Sequence, residues 1–355
     1  MTDRTTTVEK DVAQACEGAP VIGPPPVQAV AELGWGMWAS AVVQAGAQLR
    51  LADAIGEEPV SIAELAAAVD ADPDALTRLM RALVSFGIFQ QVRPGWYAHS
   101  TPSRALRKDA PVPLTDIMLT GSDWGWAMWG KLAESVRSGK CAFVEHYGKD
   151  LFTYFAEDDN AAGAAALRGF AAQSRATNPL VLDALDMSGV GTFVDVGGGH
   201  GSVVLSLLNR YPDVRGVLFD REHAIRSALL ELTSPPLAER CTLVAGDCFE
   251  SVPAGDLFLI RQVLHMWDDD ACITVLRNCV RVARPGARVV LLEQLVADPP
   301  ETPWDALMDL HMLLVMGGRE RTAEQWADIF TRAGLTYSGV TATGTPLRLV
   351  EARVA

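Results

Sequence analysis

The sequence predicts an α/β protein in which an open, mostly parallel, doubly wound sheet follows a smaller, mainly α winged-helix domain. Three observations carry that expectation. Five apolar runs, at residues 192–196, 216–219, 242–244, 257–260 and 288–292, alternate with helical segments. A glycine-rich stretch, Gly197-Gly198-Gly199-His200-Gly201, leaves the first run and enters a helix. Ahead of residue 110, two short helices and a hairpin follow one another in the order of a winged helix-turn-helix.

The length of 355 residues exceeds what one core usually supports, so two domains are expected. Hydrophobic residues at 49% against 21% charged exclude a chain disordered throughout. A net charge of −14 argues against a nucleic-acid partner, which needs a concentrated basic face. The six cysteines (Cys16, Cys141, Cys241, Cys248, Cys272, Cys279) form no CxxC pair and read as free thiols of a reducing cytosol. The N-terminus lacks the apolar stretch of a signal peptide, and no run of about 18 apolar residues suggests a membrane span. A cytoplasmic protein is expected.

Residues 1–26 end in Gly23-Pro24-Pro25-Pro26 and are expected to form a mobile tail. Residues 27–55 read as an apolar helix pair, buried on more than one side or in a subunit interface. They open the winged-helix domain, 27–110. Ser61 and Glu64 form a capping box for one helix, and Asp72-Pro73 starts the next, with Leu76, Leu79, Met80 and Leu83 on one face. Strands around Arg93-Pro94-Gly95 complete the wing. That second helix offers only Arg78 and Arg81 to a DNA backbone, too little for a recognition face. Residues 111–180 read as helical and aromatic-rich, able to border an apolar ligand cavity, and 181–355 hold the sheet.

The glycine spacing is Gly197-x-Gly199-x-Gly201, with Ser202 where a dinucleotide fingerprint has its last glycine. Asp220 ends the second run, about 20 residues on, where a carboxylate can accept ribose hydroxyls. Asp247 ends the third, where it can meet an adenine amino group beside Phe249. Either acid alone reads as a loop cap. Together they suit a nucleoside that carries cations and no phosphate, as S-adenosylmethionine does, since phosphates want bare backbone amides.

His265 lies just past the fourth run, outside the carboxyl edge where open parallel sheets bind ligands. A neutral imidazole there can accept a proton at physiological pH, and a carboxylate would orient it. Glu293, ending the fifth run, and Glu320 are the candidates. No histidine spacing suggests a metal, and His311 reads as a helix-face residue at the edge of a cavity at most.

With FVDVGGGHG, LFDREH, GDCFE, LHMWDDDAC, LLEQ and MGGRERT in hand, the chain resembles the plant caffeic-acid-type and bacterial natural-product O-methyltransferases from about residue 27 to 355. The resemblance implies a Rossmann-like methyltransferase sheet and a homodimer held by the winged helix. It implies S-adenosylmethionine as cofactor, S-adenosylhomocysteine as product, an aromatic small-molecule acceptor and no metal. It assigns cofactor contacts to Ser174, Gly197, Asp220, Asp247, Phe249 and Arg261, and Gly199 and Trp267 are expected beside them. It assigns acceptor contacts to Phe170 and Met312, and Trp129, Phe143, Met266 and Met316 are expected beside them. His265 would be the general base, flanked by Glu293 and Glu320. Two residues depart from the pattern: Met266 where Asp commonly follows the histidine, and Arg261 where plant members often have Lys. Methylation at carbon ortho to a phenol, or a recruited member that binds the cofactor without methyl transfer, are the alternatives. A nicotinamide dehydrogenase is disfavoured by Ser202.

Overall fold

The computed structural model describes residues 25–111, 114–119, 122–158 and 160–354. They form two compact units. The first runs to Ser122 and adds Ala164–Ala172; the second comprises Asp123–Gly163 and Gln173–Ala355. The helical stretch expected at 111–180 is thus shared between the two.

In the first unit, local signals set the elements. Helix α1 (Pro25–Gln48) begins at a proline, because the missing N–H and fixed φ suit a first turn. Pro25 and Pro26 are therefore helical rather than part of a tail, and the rest of that tail lies outside the described residues. The expected helix pair is also corrected. It is one 24-residue helix followed by a single turn, Leu51–Ala54, after Arg50 in the left-handed region. Only Gly46 and Ala47 of α1 are buried, while Leu33 is 82% and Trp38 63% exposed in the single chain.

Strand β1 (Val60–Ser61) leads into α2 (Ile62–Ala68) through the Ser61–Glu64 capping box. Asp72 caps α3 (Pro73–Ser85), whose Leu76, Met80 and Leu83 pack with Leu51, Leu65, Phe89 and Tyr97. Strands β2 (Phe89–Arg93) and β3 (Trp96–His99) turn at Pro94-Gly95 and give an antiparallel order β1-β3-β2. On the exposed face of α3, Arg78 pairs with Asp74 at 2.9 Å, which cancels part of the positive charge a nucleic acid would use.

The second unit begins with short helices around an aromatic cluster. Helices α4 (Ser122–Trp129), α5 (Ala142–Tyr147) and α6 (Leu151–Glu157) bring Trp124 edge-on to Phe143 and Phe155. The long α7 (Asn160–Ala184) ends against the sheet. The sheet comprises β4 (Thr192–Val196), β5 (Arg215–Asp220), β6 (Cys241–Ala245), β7 (Leu257–Arg261), β8 (Arg288–Gln294), β9 (Leu335–Ala342) and β10 (Leu347–Val354). Their order is β6-β5-β4-β7-β8-β10-β9, parallel through β8 and antiparallel for the last two.

Alternation along β7 explains the layers. Leu257 and Leu259 face α8 (Ser202–Arg210) and the end of α7. Phe258 and Ile260 face α9 (Asp269–Val282) and α11 (Ala323–Ala333). Helix α10 (Pro303–His311) lies between β8 and α11 in sequence. Cys272 and Cys279 are buried on α9, and the five described cysteines are free. Among the described residues no helix is long and apolar enough to cross a membrane.

Leu276→Ala, at a fully buried position on α9, is expected to cost ~2–5 kcal/mol in denaturant unfolding. Asp72→Ala, which removes only the α3 cap, is expected to cost about 1 kcal/mol. The reverse ranking would contradict this account of the core.

Candidate active site

The ends of β4 to β8 gather the residues singled out in the sequence. After β4, the loop turns through Gly197, Gly199 and Gly201, each with positive φ. A Cβ on Gly198 would overlap the Asp195 carboxylate and Leu218, so the loop folds down on β4 and β5. On Gly199, with φ of 60°, a Cβ would meet nothing within 4 Å. That side of the loop is bare backbone open to a ligand.

Asp220 accepts the Gly199 N–H at 2.7 Å through Oδ2 and the Arg221 N–H at 2.6 Å through Oδ1. It does cap the loop, yet each oxygen retains a lone pair for a ribose hydroxyl. Asp247 accepts the Phe249 N–H at 2.9 Å and faces Arg221 at 3.4 Å. The Phe249 and Trp267 rings meet at 4.7 Å and 65°. An open hollow of about 470 Å³ past the ends of β5 and β6 is lined by Arg221, Glu222, His223, Ala245 and Gly246. Ser174 is half-buried on α7. Arg261 donates to Asn178 Oδ1 and to Thr177 Oγ1, tying the end of β7 to α7. Two acids over a glycine cradle fit a phosphate-free, cationic nucleoside.

Under that cradle, Asp195 is 1% exposed and neither oxygen has a hydrogen-bond partner among the described residues. Burial pushes its carboxyl up to about 7, with Arg261 pulling down and Asp220 pushing up.

The candidate base sits where β7 stops. Gln262, with φ of 50°, turns the chain out of the strand, a strained conformation for a non-glycine residue. A 3₁₀ turn, Leu264–Met266, then presents His265, which is 5% exposed. Its Nδ1 lies 2.9 Å from Glu320 Oε1 and 3.7 Å from Glu293 Oε2. A proton on Nδ1 shared with Glu320 leaves Nε2, across the ring, as the accepting nitrogen. Burial opposes a charged imidazole, but Glu293 and the bond to Glu320 outweigh it and hold the His265 pKa above its ordinary 6.5. Glu293 is fully buried. Burial raises its carboxyl to about 7 although His265 and the nearby amides pull it down, and neither oxygen makes a well-formed hydrogen bond among the described residues. Ligand-type atoms of the three residues lie within 4.8 Å of one another, a spacing that could hold a metal ion. The short Nδ1–Glu320 contact has the geometry of a direct, charge-assisted hydrogen bond.

The loop after the π-helical turn Met312–Met316 locks this arrangement. Gly318 lies flat on the turn, where a Cβ would overlap the His265 carbonyl and the Met266 backbone. Arg319 donates its N–H to the His265 carbonyl at 2.8 Å. Arg321, 1% exposed, pairs with Asp269 at 2.8 Å and donates to the carbonyls of Trp267 at 2.8 Å and Leu264 at 3.4 Å. Sequence reasoning missed Arg321 as a clamp. Its partner Asp269 stood there only within the LHMWDDDAC motif.

The expected acceptor residues divide. Met266 and Met316 are half-buried, and Met312 is buried within the π-turn. Trp129 is half-buried, its ring facing His311. Phe143 is fully buried against Trp124, Tyr147 and Tyr154, so it supports the aromatic cluster from behind rather than facing a ligand. Phe170 is exposed on the first unit and is not among the residues the second unit brings together.

In the folded chain Asp195 titrates near 7, against 3.8 as its ordinary value. Its contribution to stability is therefore full below about pH 4 and lost as pH rises to about 7. Asp195→Asn removes that loss. Between pH 5 and pH 8 the unfolding midpoint should fall less in the variant than in the wild type, and equal slopes would contradict the assignment.

A model of the O-methyltransferase domain matches residues 129–336, and a model of the O-methyltransferase dimerisation domain matches residues 31–109. The chain is 31% identical over 319 residues to phenazine O-methyltransferase PhzM of Lysobacter antibioticus, covering 90% of this chain and 93% of that protein. It is also 31% identical to aclacinomycin 10-hydroxylase RdmB of Streptomyces purpurascens, over 85% of this chain and 82% of that one. The crystal structure of LaPhzM matches with a TM-score of 0.88 at 30% identity, covering 94% of this chain and all of that one. With both domain models matched in order and similarity running through most of its length, the chain belongs to the O-methyltransferase family.

Proposed function

We propose that the chain methylates a phenolic hydroxyl of an aromatic small molecule, using S-adenosylmethionine and His265 as general base. The observation that carries this reading is the buried His265, hydrogen-bonded to Glu320 through Nδ1 at the carboxyl edge of the sheet. Asp220 would hold the ribose hydroxyls, Asp247 and Phe249 the adenine, and the bare face at Gly199 would let the ligand approach. Bound there, S-adenosylmethionine supplies a methyl group already activated by positively charged sulfur.

The residues of the chain then handle the acceptor. His265 Nε2 takes the proton of a phenol whose pKa is near 10, as for tyrosine. Glu320 and Glu293 stabilise the imidazolium that forms. Positioned proton removal of this kind is worth ~10²–10⁴-fold. Trp129, Met312 and Met316 would hold the ring while the oxygen is aligned, which lowers the barrier further. The apolar Met266, in place of the usual Asp, puts no charge directly after His265 in the chain. A homodimer is supported by the dimerisation-domain match and by Leu33, Met37 and Trp38, exposed along α1 of the single chain.

Mass spectrometry after incubation with methyl-deuterated S-adenosylmethionine and a panel of catechols, naphthols and hydroxyquinones tests the reading. The wild type should label an acceptor at oxygen. His265→Ala should lose at least ~10²-fold in rate at unchanged cofactor affinity, the lower limit usual for a general base. Asp220→Ala should weaken cofactor binding instead. Label at carbon would give the ortho C-methylation alternative. An acceptor that changes mass without label would place the chain beside its hydroxylase relative, and unchanged turnover in His265→Ala would remove His265 from the mechanism.

A further inference from the structure

Helix α10 ends against the base and its carboxylate. Asp309 accepts the Glu320 N–H at 2.9 Å, and the chain then enters the π-helical turn that carries Met312. Such turns recur where a helix is adapted to a ligand. Between them, His311 is half-buried, with its imidazole inclined only 22° to the Trp129 indole and the ring centres 6.3 Å apart. Among the described residues it makes a ring contact but no hydrogen bond. Burial favours the neutral ring, and His265 does so too once it is protonated. A neutral imidazole keeps one N–H donor and one accepting nitrogen.

We propose that His311 is a specificity-determining residue that hydrogen-bonds a second oxygen of the acceptor, ortho or peri to the hydroxyl that faces His265, while Trp129 covers the same ring system. This rests on the phenol-methylation reading above. A carbonyl beside a phenol ties up the hydroxyl in an internal hydrogen bond, which withholds the proton from any outside base. An N–H of His311 donated to that carbonyl replaces the internal bond and frees the hydroxyl for His265 Nε2. The two histidines thus act in complement, since His265 removes the proton and His311 makes it removable. An acceptor lacking the second oxygen leaves His311 unpaired in a partly dry site, and sites built around a hydrogen bond reject analogues that cannot make it.

The test is a matched pair of acceptors, 8-hydroxy-1-tetralone and 5,6,7,8-tetrahydro-1-naphthol, which share a skeleton and differ by the peri carbonyl. Steady-state methyl transfer by the full chain gives kcat and KM for wild type, His311→Ala and His311→Gln. The wild type should favour the ketone by at least ~10-fold in kcat/KM, in line with a hydrogen bond in a partly buried site. His311→Ala should abolish that preference, mainly through KM for the ketone. His311→Gln, which keeps a donor, should restore part of it. Equal losses on both acceptors would show a merely structural role, and a preference unchanged in His311→Ala would overturn the proposal alone. If wild type binds the cofactor but methylates neither acceptor, the phenol reading and this inference fail together.

Discussion

The hydrogen bond between His265 Nδ1 and Glu320 is the interaction on which the rest of the site depends. A charge-assisted contact at the surface would contribute little, because water competes for both partners. Here both residues are at most 5% exposed, so the bond holds a proton on Nδ1 and leaves Nε2 as the accepting nitrogen. Keeping it requires two chain segments to lie in contact: the turn after β7 and the loop after the π-turn. Gly318 permits the contact because it has no Cβ, and Arg319 closes it with a backbone hydrogen bond. Arg321 then fastens the turn from below through Asp269 and two carbonyls. The MGGRERT segment is therefore a clamp, in which the carboxylate bonded to His265 and the arginine that holds its turn are neighbours in sequence.

A second constraint is the excess of buried carboxylate. Asp195 and Glu293 are sealed from water without a full set of hydrogen bonds, and burial pushes both to about 7. With Asp220 and Asp247 at the adjoining strand ends, the carboxyl edge of the sheet is acidic. An edge of this kind repels phosphates and favours a ligand that brings positive charge of its own. The net charge of the whole chain, by contrast, argues only against a nucleic-acid partner.

Much of this was legible in the sequence. The Ser61 and Asp72 caps, the wing and the five parallel strands follow from local rules of capping, turn chemistry and periodicity. His265, Glu293 and Glu320 could be singled out because each ends a strand or sits in a glycine-bounded loop. The misses have physical reasons as well. Strands β9 and β10 pair antiparallel after a helix and fall outside a strand–helix alternation. The apolar α1 suggested burial, but periodicity within one chain cannot say whether a neighbouring copy does the covering. Phe143 looked like a ligand contact because aromatic type says nothing about which side of a cluster faces a cavity. Arg321 and Asp309 bond across 52 and 11 residues of chain, and only the folded backbone brings them beside the His265 turn.

The central claim is most directly tested by nitrogen-15 NMR of histidine-labelled protein titrated through neutral pH. The account predicts that His265 titrates above 6.5 and, once neutral, keeps its proton on Nδ1, and that Glu320→Gln lowers its pKa. A His265 pKa at or below 6.5, a proton on Nε2, or no change in Glu320→Gln would contradict the claim that Glu320 orients the base.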